Sequence, residues 1–133
     1  MYLVDTNVVS EARRGSREAR LWFRAVDPNS IFLSVITLGE IMRGIALKRR
    51  TDAHAAASLT VWLEQLRHDH GSRILPISDR IALEWGRLAA ERPRAIADAL
   101  IAATATIHGK IIVTRNVADF ADTGVPLINP WQP

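Results

Sequence analysis

Three acidic residues occupy positions in the sequence where carboxylates could act together. Asp5 directly follows a short apolar run, Glu40 lies between apolar residues, and Asp98 is flanked by apolar residues on both sides. Each also has an ordinary structural interpretation. Asp5 suits a helix cap, Glu40 could pair with Arg43 at i+3, and Asp98 could be stabilised at a helix N-terminus. An unpaired carboxylate in the setting of Asp98, however, costs several kcal/mol or becomes protonated.

Taken together, the three acids suggest a shared functional site rather than three separate structural roles. Carboxylates gathered at one place repel each other unless a cation lies between them. Ligation by oxygen alone favours Mg²⁺ or Mn²⁺ over zinc. A metal ion held in this way, with basic residues around it, is typical of a phosphodiesterase, because it activates water and neutralises charge on phosphate. The chain has no cysteine, which excludes thiol catalysis, Cys-ligated zinc and disulfides.

The elements that must position these acids alternate between strands and helices. Short apolar runs predict five strands, namely Tyr2–Asp5, Ile31–Ser34, Ile74–Ile77, Ile111–Thr114 and Leu127–Ile128. Caps and helical periodicity predict helices that begin at Asp5, Ser16, Thr37 (to about Lys48), Thr51 (ending at Gly71), Ser78 and Ile96 (to His108, closed by Gly109). We therefore expect an α/β fold of three layers, with a central, mostly parallel sheet of four to five short strands covered on both faces.

The topology also predicts where the acids meet. In parallel α/β folds the functional site lies beyond the carboxyl ends of the strands. The segments to examine are therefore Asp5–Asn7, Ser34–Glu40 and Thr114–Asp119, together with the helix start at Asp98. The sequence predicts that Asp5, Glu40 and Asp98 converge there within one coordination sphere.

The positive charge of the chain is carried almost entirely by arginine. The sequence has 17 basic and 14 acidic residues, and lysine occurs only at Lys48 and Lys110. Five arginines fall in one early stretch, at positions 13, 14, 17, 20 and 24. Arginine grips phosphate with a planar fork, so this stretch points to nucleic acid, although the codon usage of a GC-rich genome is an alternative explanation.

Length and hydropathy narrow the class of protein. The 133 residues suffice for one domain, and 48% hydrophobic with 23% charged residues is ordinary for a globular chain. The apolar run before Asp5 is too short for a signal peptide, and no later run approaches the ~18 apolar residues of a membrane span. We therefore expect a soluble, cytoplasmic protein without a membrane partner.

Four motifs, taken in order, resemble those of PIN-domain nucleases. They are Met1–Asn7 (MYLVDTN), Leu33–Gly44 (LSVITLGEIMRG), Ile96–Ala105 (IADALIAATA), and Val113–Phe120 (VTRNVADF) followed by Ile128–Trp131 (INPW). Together they extend from one end of the chain to the other. The pattern is most similar to the VapC toxins of type II toxin–antitoxin pairs, in their FitB-like branch.

The resemblance implies a single PIN domain over residues 1–133 that acts as a Mg²⁺- or Mn²⁺-dependent endoribonuclease. It also implies a homodimer, inhibited by a cognate DNA-binding antitoxin, with higher assembly on operator DNA. The family's first three acids correspond to Asp5, Glu40 and Asp98. Many relatives have an Asp where this chain has Asn116, so either Asn116 or Asp119 completes the catalytic site, and Asn116 would be the fourth metal ligand. The hydroxyls of Thr6 and Thr114 are expected near the same edge, in supporting or merely capping roles.

Several alternatives stay open at the level of sequence. The same carboxylates would serve a PIN-like DNA nuclease, and the uncharged Asn116 would also suit a catalytically weakened domain that acts as a binding module. Four arginines are candidates for contacts with RNA or with an antitoxin, namely Arg13, Arg14, Arg17 and Arg43. The helices near Arg20–Phe23 and Ala53–Leu66 carry more apolar surface than so small a sheet would cover, which predicts a homodimer and a separate groove for the antitoxin.

Overall fold

The structure, a computed structural model, describes residues 1–133. Its strands are β1 (Tyr2–Val4), β2 (Ile31–Ser34), β3 (Ile74–Leu75), β4 (Ile111–Val113) and β5 (Leu127–Ile128). Its helices are α1 (Thr6–Arg14), α2 (Arg17–Ala25), α3 (Val35–Arg49), α4 (Ala53–His70), α5 (Asp79–Glu91) and α6 (Ile96–His108). Three short 3₁₀ turns cover Pro28–Ser30, Gly71–Arg73 and Val117–Asp119.

The five strands form one parallel sheet in the order β3-β2-β1-β4-β5. In the centre of the sheet, Leu3 of β1 is aligned with Phe32 of β2 and with Ile112 of β4. Because all strands run the same way, their carboxyl ends lie at one edge, where the helices that follow them begin. The predicted α/β class with a parallel sheet of four to five strands is confirmed.

Helices cover both faces of the sheet, each over its own apolar core. One core cluster includes Val4, Leu33 and Val113, with the inner faces of α1 to α4 packed on it. The other includes Leu3 and Ile112, with the inner faces of α5 and α6. Adjacent β1 residues thus enter opposite cores, which explains why the strands read as continuous apolar runs.

Local sequence signals set most of the helix boundaries. Asp5, Ser16 and Ser78 cap their helices through side chains that accept backbone N–H groups, as their positions predicted. Gly109, at φ 62°, ends α6 in the left-handed conformation that favours glycine. The limits of β2, α6 and β5 agree with the sequence prediction.

Some predicted boundaries were wrong. Helix α3 begins at Val35 rather than Thr37, because Ser34 ends the strand and also caps the helix by accepting the N–H of Ile36. Helix α4 begins at Ala53 because Asp52, not Thr51, is its cap.

Three strands are also shorter than predicted. Strand β3 stops at Leu75, before a proline that has no N–H for the ladder. Strands β1 and β4 end one residue before Asp5 and Thr114, where the chain turns out of the sheet.

The expected surplus of apolar surface on α2 and α4 is met only in part, by Leu21, which is 46% exposed, and Val61, which is 71% exposed. Trp22, Phe23 and Trp62 pack against the core cluster under α1 to α4, and the Trp22 ring makes edge contacts with Phe23 and Tyr2. Aromatic side chains cover so much area that they complete this core instead of leaving a bare patch.

None of the six helices combines the length and the hydropathy that a bilayer crossing requires.

Candidate active site

Asp5 lies at the centre of the carboxyl edge, the edge of the sheet where the strands end, and several hydrogen-bond donors hold its side chain. It is 5% exposed, and its Oδ1 accepts the N–H of Thr6 at 2.8 Å. Its Oδ2 accepts from Thr114 Oγ1 at 2.9 Å and from Asn7 Nδ2 at 3.0 Å. Asp5 is thus a helix cap and a fixed carboxylate at the same time. Burial raises its pKa from 3.8 to about 6 against the opposing effect of these hydrogen bonds, and the charges of Asp98 and Glu40 contribute to the increase.

Glu40 reaches the same edge from the second turn of α3. Its Oε1 accepts a hydrogen bond of 2.6 Å from the Thr6 hydroxyl, which in turn lies 3.0 Å from the hydroxyl of the fully buried Thr37. A hydroxyl has one hydrogen, so Thr6 gives it to Glu40 and receives that of Thr37. No ion pair joins Glu40 to Arg43, so the i+3 pairing that the sequence allowed is not formed.

Asp98 enters the edge from the first turn of α6. It is half-buried, and its carboxylate accepts no hydrogen bond from the protein. Burial raises its pKa, and the negative charges of Asp119 and Glu40 raise it further. Its oxygens therefore keep free lone pairs beside two other carboxylates.

The loop after β4 contributes one acid and one amide. Asp119 lies near enough to Asp98 for its charge to act on that carboxyl. The side chain of Asn116 forms no hydrogen bond, while its backbone N–H donates to Thr114 Oγ1 at 3.0 Å. Of the two candidates for the fourth position, Asp119 therefore has the more direct electrostatic link with the other acids.

The acids meet at one edge but do not share one coordination sphere. In this conformation no three Asp, Glu or His side chains lie where they could hold a single metal ion. The expectation of tight convergence of Asp5, Glu40 and Asp98 is therefore not met. The physical reason is that Glu40 turns to the Thr6 hydroxyl, Asp5 is tied to its own donors, and the like charges repel each other.

The chemistry of the donor set nonetheless fits a hard cation. All the available ligands are carboxylate or amide oxygens, and the pKa values of Asp5 and Asp98 are raised partly by neighbouring negative charge. A divalent cation would remove that repulsion. Because Glu40 is exposed, rotation of its side chain could bring its carboxylate towards the other two without a backbone change.

A groove of about 440 Å³ opens beside Glu40, between α1, α3 and α4. Its floor is apolar, with Ile41, Ile45, Leu59 and Trp62, and its rim carries Arg13, Arg14 and Lys48. Arg13 lies over the Trp62 ring at 5.6 Å, and Arg14 forms an exposed ion pair with Glu11. Arg17 is outside the lining of this groove, and Arg43 forms no ion pair.

Sequence reasoning missed two side chains that shape the site. Asn7 donates to Asp5 and accepts the N–H of Arg115 at 3.1 Å, so it joins the loops after β1 and β4. Thr37, taken for a helix start, supports Thr6 instead. Both lie within quoted motifs, but the contacts of Asn7 with Arg115 and of Thr37 with Thr6 join residues more than 30 positions apart, so local patterns could not show them.

Comparison with known proteins agrees with this architecture. The PIN-domain family matches residues 2–125. The chain is 30% identical to "VapC ribonuclease Y4jK" of Sinorhizobium fredii, over 100% of this chain and 99% of that one. It is 32% identical to "Toxin FitB" of Neisseria gonorrhoeae, over 99% of both. The solved structure of FitAB bound to an IR36 DNA fragment superposes with a TM-score of 0.89 at 30% identity, covering 100% of this chain and 97% of that one. The chain therefore belongs to the PIN-domain family, among its VapC and FitB relatives.

Proposed function

We propose that this protein is a Mg²⁺- or Mn²⁺-dependent endoribonuclease, the toxin of a VapBC-type toxin–antitoxin pair, and that it hydrolyses RNA phosphodiester bonds. The observation that carries the proposal is the meeting of Asp5, Glu40 and Asp98 at the carboxyl edge of the sheet, where Asp5 and Asp98 have raised pKa values. The printed names of the VapC and FitB relatives support the activity and the toxin role. Residues 1–133 form one PIN domain in this proposal, because strands from both ends of the chain build the sheet.

Each residue has a definite task in this mechanism. Asp5, Glu40 and Asp98, with Asn116 or Asp119, would hold the cation. Thr114 fixes the Asp5 carboxylate, whereas Glu40 would exchange its hydrogen bond with Thr6 for the cation. When bound, a divalent cation supplies charge neutralisation on the phosphate and a more acidic water. Asp98 is the acid best able to accept a proton from an attacking water at its Oδ atoms, because those atoms carry no hydrogen bond.

The direct test uses purified protein with labelled single-stranded RNA. We expect cleavage with Mg²⁺ or Mn²⁺ and none with EDTA. Cleavage of single-stranded DNA with RNA left intact would favour the DNA nuclease alternative. Binding of RNA without cleavage under any divalent cation would favour the binding-module alternative.

We further propose that a cognate DNA-binding antitoxin occupies the groove beside Glu40, and that the complex assembles on operator DNA. The FitAB complex on DNA, a relative's structure, supports this partner class. The apolar floor suits a protein segment better than a polynucleotide, and the cationic rim would attract acidic side chains of that segment.

Simultaneous replacement of Arg13, Arg14 and Arg17 by alanine tests whether the antitoxin or RNA binds these arginines. We expect the affinity for the antitoxin to fall, because two of the three arginines line the groove, while the salt dependence of RNA binding is unchanged. Affinities measured by fluorescence anisotropy over a salt series would show this. If the arginines contact phosphate instead, the salt slope would fall by up to about 0.7 per contact on a single strand.

We also propose that the toxin is a homodimer. Trp22 and Phe23 are used in the core, and the exposed Leu21 and Val61 lie on α2 and α4, which do not pack against each other. We therefore assign the contact to the packed α5–α6 hairpin, where Leu83 is 76% and Ile96 67% exposed. Light scattering at tens of micromolar, an order of magnitude typical of a specific interface, should give twice the chain mass, and Leu83→Glu should reduce it. A monomer at that concentration would contradict the proposal.

A further inference from the structure

We propose that Arg115 and Trp131 form a nucleotide-binding platform beside the acidic edge, where one nucleotide of a single-stranded RNA is held next to the cleavage site. The inference rests on the proposed ribonuclease function and names two residues that bind the substrate of that site. Neither residue belongs to the groove beside Glu40.

Arg115 is coupled directly to the acidic centre. It follows Thr114, whose hydroxyl donates to Asp5, and its own backbone N–H donates to Asn7 Oδ1 at 3.1 Å. Asn7 in turn donates to Asp5. The backbone of Arg115 is therefore fixed by the same hydrogen bonds that fix the first candidate metal ligand.

The guanidinium of Arg115 has no anionic partner within the protein. It lies over the Trp131 ring, with its central carbon 4.7 Å from the ring centroid, and no carboxylate lies within ion-pair distance of it. Other arginines near the loops, such as Arg92 and Arg94, are already paired with Asp122. An exposed cation without a counter-charge, beside a site that must attract a polyanion, is free to bind phosphate.

The tail after β5 fixes the aromatic half of the platform. The backbone N–H of Trp131 donates to Asn129 Oδ1 at 2.9 Å, and Asn129 Nδ2 donates to the backbone carbonyl of Arg115 at 3.5 Å. Trp131 is half-buried against the core cluster that contains Val4 and Val113. Bases of single-stranded RNA stack on aromatic rings and on guanidinium planes. Because Arg115 covers one face of the Trp131 ring, we expect the base to stack on the outer face of the guanidinium, with Trp131 supporting the other face.

The order of the strands places the platform on a path for RNA. Going along the carboxyl edge from β2 through β1 and β4 to β5, one meets Glu40, Asp5, Arg115 and then Trp131. Neighbouring strands are about 4.8 Å apart, so the end of β5 lies roughly 10 Å from that of β1. An RNA molecule whose scissile phosphate lies at Asp5 would therefore place an adjoining nucleotide over Arg115.

The test measures the affinity for a labelled single-stranded RNA in EDTA, where no cleavage is expected, with Arg115→Ala, Arg115→Lys and Trp131→Phe. Arg49→Ala is the matched control, because Arg49 is exposed, is not paired with a carboxylate, and lies in the last turn of α3, the helix that leads away from the acidic edge.

We expect Arg115→Ala to weaken binding about five- to tenfold and to lower the salt slope by about 0.7. Arg115→Lys should restore the slope but not the affinity, because lysine keeps the charge and loses the stacking plane. Trp131→Phe should weaken binding less than Arg115→Ala does, and Arg49→Ala should bind like the wild type.

Two results would overturn the platform. One is an RNA affinity of Arg115→Ala equal to that of Arg49→Ala; a lowered melting temperature of Arg115→Ala would then show that the pair only holds the C-terminal tail in place. The other is a wild-type protein that binds no RNA. If the wild type binds RNA through Arg115 but does not cleave it with Mn²⁺, the proposed ribonuclease activity fails and the platform stands.

Discussion

Asp98→Asn should lower the rate of RNA cleavage about a hundredfold or more, while the protein stays folded. The amide has nearly the size of the carboxylate, and Asp98 accepts no hydrogen bond that the change would break. What disappears is the negative charge beside Asp119 and Glu40, and with it one ligand for a divalent cation. Cleavage assays with Mg²⁺ and Mn²⁺, together with calorimetric titration of Mn²⁺, would measure both losses.

The same substitution should leave the protein at least as stable at neutral pH. Burial and like charges raise the pKa of Asp98, which means that its ionised form is disfavoured in the folded state. We therefore expect a melting temperature at pH 7.5 in EDTA equal to or above that of the wild type.

A matched control separates the role of this acid from that of any acid at a helix start. Asp79→Asn makes the same change in the first turn of α5, at a residue outside the acidic cluster, and should keep full activity. Mg²⁺-dependent cleavage by Asp98→Asn at the wild-type rate would contradict the assignment of Asp98.

How much of this site the sequence could predict depends on the range of the interactions involved. Asp5, Glu40 and Asp98 could be assigned to one edge because each follows from the placement of a strand or a helix start, which local patterns predict well. The limits of α6 were predictable because Ile96 to His108 is mostly apolar and rich in alanine, with Gly109 as its stop. These features require no knowledge of distant partners.

The orientation of the side chains could not be predicted in the same way. Glu40 bonds to Thr6, and Asn7 to the N–H of Arg115, across 34 and 108 positions of sequence. Only the parallel pairing of β1 with β2 and β4 brings these residues together. The tight convergence expected of the acids failed for this reason, since the hydrogen bonds that hold Asp5 and Glu40 apart are themselves long-range.

Without divalent ions, the free energy of unfolding should rise as the pH falls from about 6 towards 4, contrary to ordinary acid destabilisation. The cause is Asp5, whose pKa burial raises from 3.8 to about 6. Between these values the folded protein binds a proton that the unfolded chain does not, so acid favours folding. Ionised Asp5 destabilises the folded state by about 3 kcal/mol. This destabilisation is fully present above pH 6 and absent below 3.8.

Urea unfolding in EDTA at pH 7.5, 6, 5 and 4 would measure this effect, with Asp5→Asn as the comparison. The variant places an amide donor against Asn7 Nδ2 and so loses stability at every pH, but that loss does not titrate. Subtracting the two profiles also cancels the carboxyls whose pKa values are lowered, such as Asp122 with Arg94, because they are common to both proteins. We expect the variant to gain about 2.4 kcal/mol relative to the wild type between pH 4 and 7.5, because the remainder of the effect falls below pH 4. If the free energies of unfolding of the two proteins changed with pH in the same way, ionisation of Asp5 would not destabilise the folded state. Burial of Asp5 would then not be a source of instability that a bound cation relieves.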